Sequence, residues 1–348
     1  MKRLAVYFHA PHEVVAREEP LPSLEPGYVL VKTLASAISP GTELLIYRGL
    51  VPSDMPIDDA IPALAGTFEY PLKYGYSAVG EVIAAGSAVP PDWQGRRVFA
   101  YNPHESVFAA NPKDLFPLPP GISPEEATLL PTVETVVNLL MDGRPLVGEQ
   151  VAVFGQGVVG LLVTALLAQF PLASLVTIDP IPTRRERSLS LGAHQALAPP
   201  TTGSLTRLLK ALQGDRPYSG ADLTYELSGD PAVLELAIAA TGFTGRVVIG
   251  SWYGRKQARL GLGGPFHRSR ISLISSQVST ISPRVMGRWN RSRRWQMAVD
   301  MLRRLRPLRL VTHRFPVDRA ADAYALLDQS PDQAIQIILT YGGTDHDP

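Results

Sequence analysis

The sequence predicts an α/β protein, a doubly wound parallel sheet accompanied by a second, mostly β region. Three observations lead there. The chain has 348 residues, more than one ordinary hydrophobic core accommodates and suited to two domains. Its first 120 or so residues read as short apolar runs punctuated by Pro and Gly, the signature of strands and turns. After Pro124 the pattern changes to strands alternating with helices, which implies parallel pairing with right-handed crossovers.

Taken in order, Leu4–Phe8, Tyr28–Ala37, Ala78–Ala84 and Arg97–Ala100 are the clearest early strands, and the stretch from Leu50 to Tyr70 reads as a surface loop. Pro124-Glu125-Glu126-Ala127 has the composition of a helix start, and apolar residues follow at helical spacing to Met141. Strands are then expected at Val151–Gly155, Leu175–Asp179, Gln195–Ala198, Leu223–Leu227, Arg246–Ser251 and Ile271–Ser275. The intervening helices start near Val158, Thr183, Leu205, Pro231 and Trp289. Beyond Pro307 the chain reverts to strand, short helix and strand, ending at Ile335–Tyr341.

Composition excludes several classes of function. Cysteine is absent, which removes disulfides, Cys-type zinc sites, iron–sulfur clusters and thiol nucleophiles. A formal charge of +1 argues against nucleic acid or an acidic membrane as the main partner. The most apolar stretch, Val151 to Phe170, carries a glycine turn and two glutamines, so a β–α start explains it better than a membrane span. The N-terminus runs straight into strand-like sequence without the apolar core of a signal peptide. A cytoplasmic protein acting on a small molecule is the expectation.

The sharpest motif is Val151-Ala-Val-Phe-Gly155-Gln-Gly157-Val158-Val-Gly160, followed by an apolar helix. A lone GxGxxG is weak evidence, but here it follows a strand and opens a helix. Asp179 lies nineteen residues after Gly160, at the end of the next strand, which is the context of a dinucleotide site. Gly155 permits the tight turn, Gly157 lets the backbone approach a pyrophosphate, and Gly160 lets helix and strand pack closely. The pyrophosphate would meet the positive helix end near Val158. Asp179 is suited to ribose hydroxyls and so to NAD, whereas Arg184 and Arg185 nearby suit a 2′-phosphate and keep NADP open. The strand ends at Ser228-Gly229 and Gly250-Ser251 are expected to line the same cofactor.

Across nearly its whole length the chain resembles the medium-chain dehydrogenase/reductase superfamily. The stretches that carry the resemblance are Gly41-Thr-Glu-Leu-Leu-Ile-Tyr-Arg-Gly49, Gly75-Tyr-Ser-Ala-Val-Gly80 and Leu115-Phe-Pro-Leu-Pro. They continue through the glycine loop, Gly220-Ala-Asp-Leu-Thr-Tyr-Glu-Leu-Ser-Gly229, Gly245-Arg-Val-Val-Ile-Gly250 and Thr312-His-Arg-Phe-Pro. The resemblance implies a GroES-like, mostly β catalytic domain over residues 1–122, a Rossmann domain over 123–306 and a return into the catalytic domain over 307–348. It also implies that Thr135 contacts the nicotinamide, and that the chain forms a homodimer through the edge strand Ile271–Ser275.

The metal positions of that superfamily are altered. Pro40 stands where a ligating cysteine belongs, Tyr76 and Ser77 where the histidine and glutamate of the Gly-His-Glu motif belong, and Pro131 where the third ligand is expected. The four-cysteine structural zinc lobe is missing too. Zinc needs three protein ligands and an open position, so no zinc is expected. Hydrogen-bond donors must then stabilise charge on the substrate oxygen. Thr42 matches the family hydroxyl that touches that oxygen, and Tyr76 aims a phenol at the vacated position. Tyr76 reads as oxyanion donor or general acid with Thr42 as relay partner, or else as a space-filling tyrosine. His104 reads as a proton shuttle to solvent or as a surface histidine. Glu43 occupies a supporting acidic position, holding Tyr76 or Arg48.

Only six of the thirty-three basic residues are lysine, and nine arginines lie between Arg284 and Arg309. Arginine forks suit carboxylates and phosphates, so the run reads as an anionic-substrate site or as a solvated helix face. The Ile38-Ser-Pro-Gly-Thr-Glu segment looks most like the bacteriochlorophyllide dehydrogenase group, from which the reaction type carries over and the substrate does not. The resulting expectation is zinc-independent, NAD(P)-dependent interconversion of a secondary alcohol and a ketone. The alternatives are a quinone or enone (C=C) reductase and a nucleotide-binding protein that has lost catalysis.

Overall fold

The computed structural model describes residues 2–58, 61–200, 205–212 and 220–342. The chain divides into two compact units, Met1–Pro131 with Arg306–Pro348, and Thr132–Leu305. Its strands, in chain order, begin with β1 (Lys2–Ala10), β2 (Glu13–Pro20), β3 (Val29–Ala37), β4 (Leu72–Lys73), β5 (Ala78–Ala85), β6 (Arg97–Ala100), β7 (Val107–Ala110) and β8 (Leu115–Pro117). They continue with β9 (Gln150–Phe154), β10 (Ser174–Ile178), β11 (Gln195–Leu197), β12 (Ala221–Glu226), β13 (Thr241–Ile249), β14 (Ser272–Ser275), β15 (Val311–Pro316) and β16 (Gln336–Thr340). The helices are α1 (Pro40–Tyr47), α2 (Pro124–Ala127), α3 (Leu130–Gly143), α4 (Val158–Leu167), α5 (Pro182–Ser190), α6 (Leu205–Ala211), α7 (Pro231–Ala240), α8 (Arg291–Leu305) and α9 (Ala320–Gln329).

The first unit is built on antiparallel pairing. β3 bonds to β5, β7 and β16, and the sheet runs β15-β16-β3-β5-β6-β8. Apolar residues of these strands, among them Val29, Val31, Val82, Val98 and Phe108, form one core. The C-terminal strand β16 pairs with β3 at Ile338↔Ala37 and Leu339↔Ser36, so it completes the sheet of this unit. β1 also pairs with β2, a hairpin the sequence pattern did not reveal because Glu13–Pro20 carries three glutamates and an arginine.

The second unit is a six-stranded parallel sheet in the order β11-β10-β9-β12-β13-β14. With β9 counted as the first strand, the spatial order is 3-2-1-4-5-6, that of dinucleotide-binding sheets, with the order reversing between β9 and β12. Every residue of β9 is buried, as a strand covered on both faces requires.

Two expectations about organisation change. The apolar run from Pro124 to Met141 is two helices, because proline lacks an N–H and clashes within a helix, and Pro131 sits in the first turn of α3 after a break at Thr128–Leu129. The first unit also extends to Pro131, past the expected boundary at 122. Within it, the Arg314 guanidinium grips the Glu125 carboxylate of α2 at 2.7 Å and 2.9 Å, and the Ser77 hydroxyl donates to the Thr128 carbonyl.

Candidate functional site

The glycine loop follows β9 and opens α4. Gly155 has φ +87°, and a Cβ there would lie 2.5 Å from the Leu227 carbonyl oxygen. A Cβ on Gly160 would lie 1.9 Å from the Gly155 carbonyl oxygen, so the first helical turn closes on the loop only because this residue is glycine. Gly157 differs: nothing lies within 4 Å of a Cβ built there. It is the N-cap of α4, and no side chain caps that helix end. An uncapped helix start next to open space, where peptide N–H groups have no intrahelical partner, is what a pyrophosphate needs. These residues fit a dinucleotide, with Val158 opening the helix.

The flanking residues hold this loop in shape. Gln156 donates its peptide N–H to Asp179 Oδ2 at 2.6 Å, and its side-chain oxygen accepts from Thr164 at 3.0 Å. Asp179 Oδ1 accepts the Ile181 N–H at 2.9 Å. The expected role of Asp179 as a ribose ligand is thereby supplemented: it is a buried carboxylate that ties β10 to the glycine loop. Arg185 donates to the carbonyls of Asp179 and Pro180 at 2.9 Å and 2.8 Å, which commits part of its guanidinium to the backbone. Arg184 is half-buried on α5.

At the end of β12, the Ser228 N–H and hydroxyl both donate to Glu226 Oε1, while Tyr253 donates to Glu226 Oε2 at 2.5 Å. Ser251 Oγ accepts the Gly229 N–H at 2.9 Å. A Cβ on Gly250 would lie 2.6 Å from a Leu227 methyl and 2.7 Å from a Leu139 methyl. Gly250 was expected, as a strand end, to line the cofactor, and the space its missing side chain leaves is filled by these leucines. Thr135 lies half-buried on α3. Glu226, fully buried beneath this loop pair, was missed, because a glutamate in an apolar strand carries no motif.

In the first unit, the start of α1 and the residues before β5 bring a hydroxyl cluster together. The Tyr76 phenol donates to Ser39 Oγ, and the Thr42 side chain is a second hydroxyl that favours its ionised form. Burial pushes this phenol above its ordinary value; the Ser39 and Thr42 contacts oppose that shift, and the Glu43 carboxylate adds to it. Tyr76 is therefore protonated, a donor, at neutral pH. Ser39 was not foreseen. It is the N-cap of α1 but caps nothing with its side chain, whose oxygen is occupied by Tyr76.

Behind this cluster lies a buried polar network. Glu43 accepts the Ser39 N–H at 2.7 Å, the His104 Nε2–H at 3.1 Å and the Tyr324 hydroxyl. His104 Nδ1 lies 2.7 Å from Ser36 Oγ, which is 2.7 Å from the Tyr341 hydroxyl. Both His104 and Glu43 are 0% exposed. The expectation of a solvent shuttle or a surface histidine at position 104 is corrected. The ring packs against Gly75, where a Cβ would fall 2.8 Å from it, and both nitrogens are engaged inside the protein. Glu43 likewise holds His104 and Tyr324, whereas Arg48 pairs with Asp328 at 2.6 Å. Ser36, Tyr324 and Tyr341 come from segments too distant in sequence to be grouped by spacing.

The positions that carry zinc ligands in the resembled superfamily do not fit a zinc ion. Pro40 and Pro131 have no donor atom, Tyr76 is bonded to Ser39, and the Ser77 hydroxyl is given to the Thr128 carbonyl. Among the described residues there is no group of three or more His, Cys, Asp or Glu side chains able to hold a metal.

The arginine run divides. Arg294 is a core cation, 2% exposed, held by Glu134 at 3.0 Å, by Asn138 at 2.7 Å and by the carbonyls of Thr280 and Val278. Arg293 lies over the Trp289 ring at 4.1 Å. Arg288, Arg291, Arg303 and Arg304 are exposed, which agrees with the solvated-face reading for most of the run. No helix among the described residues is long and apolar enough to cross a membrane.

No protein-family model matches the sequence. The chain is 28% identical to (R,R)-butanediol dehydrogenase of Bacillus subtilis over 255 residues, 66% of this chain and 71% of that protein. The crystal structure of 2R,3R-butanediol dehydrogenase from Bacillus subtilis superimposes with a TM-score of 0.78 at 20% identity, covering 98% of this chain and 100% of the other. An alcohol dehydrogenase of Escherichia coli CFT073, solved with NADH, gives a TM-score of 0.77 at 19% identity, covering 98% and 99%. The fold is thus the expected one, a Rossmann sheet with a mostly antiparallel β unit, and in sequence the chain is similar to an alcohol dehydrogenase.

Proposed function

We propose that this chain is a nicotinamide-dependent oxidoreductase that interconverts a secondary alcohol and a ketone without zinc, using Tyr76 as the donor to the substrate oxygen. The observation that carries the reading is the Tyr76–Ser39–Thr42 hydroxyl cluster, standing at a position where zinc-type relatives place a metal ligand. The likeness to butanediol dehydrogenase supports the alcohol–ketone chemistry. The narrower likeness to bacteriochlorophyllide dehydrogenases supports the same reaction type.

NAD, when bound, supplies the hydride acceptor or donor. Gly157 and the uncapped start of α4 would hold its pyrophosphate, Asp179 stabilises the loop that would receive it, and Thr135, Ser228 and Ser251 would contact the remainder. In the reducing direction the protonated Tyr76 phenol meets the oxygen on which negative charge develops, and its proton moves to that oxygen. Ser39 and Thr42 hydroxyls stabilise the phenolate oxygen left behind, which regains its proton from solvent once the alcohol has left. In the oxidising direction the proton runs the other way. His104 and Glu43 take no part in the transfer; they fix Ser39 from below. The proposal includes a homodimer joined through β14, which lies at the edge of its sheet, and sedimentation mass checks it.

The test is turnover of chelator-treated, metal-analysed protein with NAD⁺ and butane-2,3-diol or sorbitol. NADH formation at substoichiometric zinc is the expected result. Activity that appears only on adding zinc contradicts it.

A further inference from the structure

The second unit carries an apolar groove of about 440 Å³ that the nucleotide reading leaves unused. It is lined by Met141 of α3, Phe170 after α4, and Trp289 and Met301 at α8, with Arg144 and Arg304 among its walls. Gly157 caps the start of α4, whereas Phe170 follows its end; ten helical residues separate the two by about 15 Å. The groove therefore lies away from the glycine loop. Its volume is in the range of small-ligand sites, about 300–1,000 Å³.

The two arginines define what would occupy it. Two arginines of this unit are tied down, Arg294 by four partners and Arg246 by Glu149 and by the carbonyls of Gly143 and Arg144. Neither the Arg144 nor the Arg304 side chain has a hydrogen bond or ion pair with the described residues. Arg144 moreover follows α3 with φ +48°, a left-handed position where glycine is the unstrained choice. The Arg246 clamp on its carbonyl, at 2.8 Å, holds it there. Next to the groove, Leu146 and Val147 are 62% and 81% exposed. Methionine and aromatic walls accept varied apolar shapes, and free guanidinium forks accept a carboxylate.

We propose that this groove is a second ligand site, for a small amphipathic carboxylate whose apolar tail lies along Met141, Phe170, Trp289 and Met301 and whose head meets Arg144 and Arg304. The arginine excess of the sequence then serves, in part, a site separate from the one for nucleotide and substrate. The inference does not depend on the proposed reaction.

The experiment is a titration of the intact protein with decanoate, below its aggregation concentration, read by tryptophan emission and repeated by calorimetry. Decanol is the uncharged probe. The expected result is a saturable signal that the Trp289→Phe variant loses in fluorescence but keeps in calorimetry. In Arg144→Gln/Arg304→Gln the decanoate midpoint rises about tenfold, as loss of one charged hydrogen bond requires, while decanol binding is unchanged. Thermal stabilisation by nucleotide shows that each variant is folded. Equal decanoate midpoints in wild type and double variant, the absence of saturable binding, or a groove closed by a second copy of the chain in solution would overturn the proposal.

Discussion

The two units build their candidate sites by opposite means. In the second unit the site is made of backbone: Gly155, Gly157 and Gly160 matter for the side chains they lack. In the first it is made of side chains: Tyr76, Ser39 and Thr42 above, with Glu43, His104, Ser36, Tyr324 and Tyr341 below. A backbone site leaves a short, fixed spacing in the sequence, because one loop and one helix end create it. A side-chain site draws on residues from position 36 to position 341 and leaves no local pattern. The contrast also separates affinity from stability, since an empty place can be filled without harm to the fold and a buried carboxylate cannot be removed without harm.

The sharpest break is expected at Gly160. Gly160→Val places a side chain against the Gly155 carbonyl, 1.9 Å from the built Cβ, and the loop cannot keep its shape. The nucleotide-induced stabilisation, about 2.7 kcal/mol at a hundred times Kd, should disappear in a thermal-shift assay. If the variant still responds to NAD as wild type does, the loop is not the nucleotide site.

The corresponding break in the first unit is Glu43→Ala. It strands three donors, the Ser39 N–H, His104 Nε2–H and Tyr324 hydroxyl, in a fully buried place. A loss of roughly 3 kcal/mol in denaturant unfolding is expected. A loss below about 1 kcal/mol would mean that water or other groups satisfy them.

Gly157→Ala sharpens the comparison, because it alters the backbone site without touching the core. With nothing within 4 Å of the new methyl, stability should stay within about 0.5 kcal/mol of wild type. Nucleotide affinity should fall about tenfold, since the methyl occupies phosphate space and displaces charged hydrogen bonds. Equal affinity in a titration would show that no phosphate approaches there.

The smallest effect is expected from pH. Burial raises the phenols of Tyr74, Tyr76, Tyr324 and Tyr341 above their ordinary value near 10. Because the folded values are the higher ones, the stability they contribute is complete below about pH 10 and is lost as pH rises beyond it. Burial raises the phenols of Tyr225 and Tyr253 in the second unit in the same way, so both units should lose stability in alkali. A melting profile that is flat to about pH 9 and falls above about 10 is the expected outcome, and a profile that stays flat well above pH 10 would contradict it.

How much was legible follows from the same contrast. The parallel sheet could be read because each strand is a short apolar run followed by a helix, and the glycine loop because its spacing is a backbone requirement. The hairpin partner Glu13–Pro20 could not, since an exposed edge strand needs no apolar alternation. Thr42 and Tyr76 were reached through the family resemblance, and the structure adds the bond from Tyr76 to Ser39. His104 was misplaced because neither composition nor spacing says that Gly75 leaves room for an imidazole in the core. Gly250 was assigned to the cofactor because a strand end is where ligands gather, and its packing against Leu227 and Leu139 could not be read from the sequence.

The central claim is that a phenol does here what zinc does in related enzymes. It is tested most directly by single-turnover oxidation of NADH by a ketone substrate, in chelator-treated protein of known zinc content, for wild type and Tyr76→Phe. The account predicts wild-type turnover that is independent of zinc, and a hundred- to thousandfold slower step in the variant, the usual scale for losing a general acid or oxyanion donor, at unchanged NADH affinity. A rate that follows the zinc content, or a Tyr76→Phe variant as fast as wild type, would contradict it.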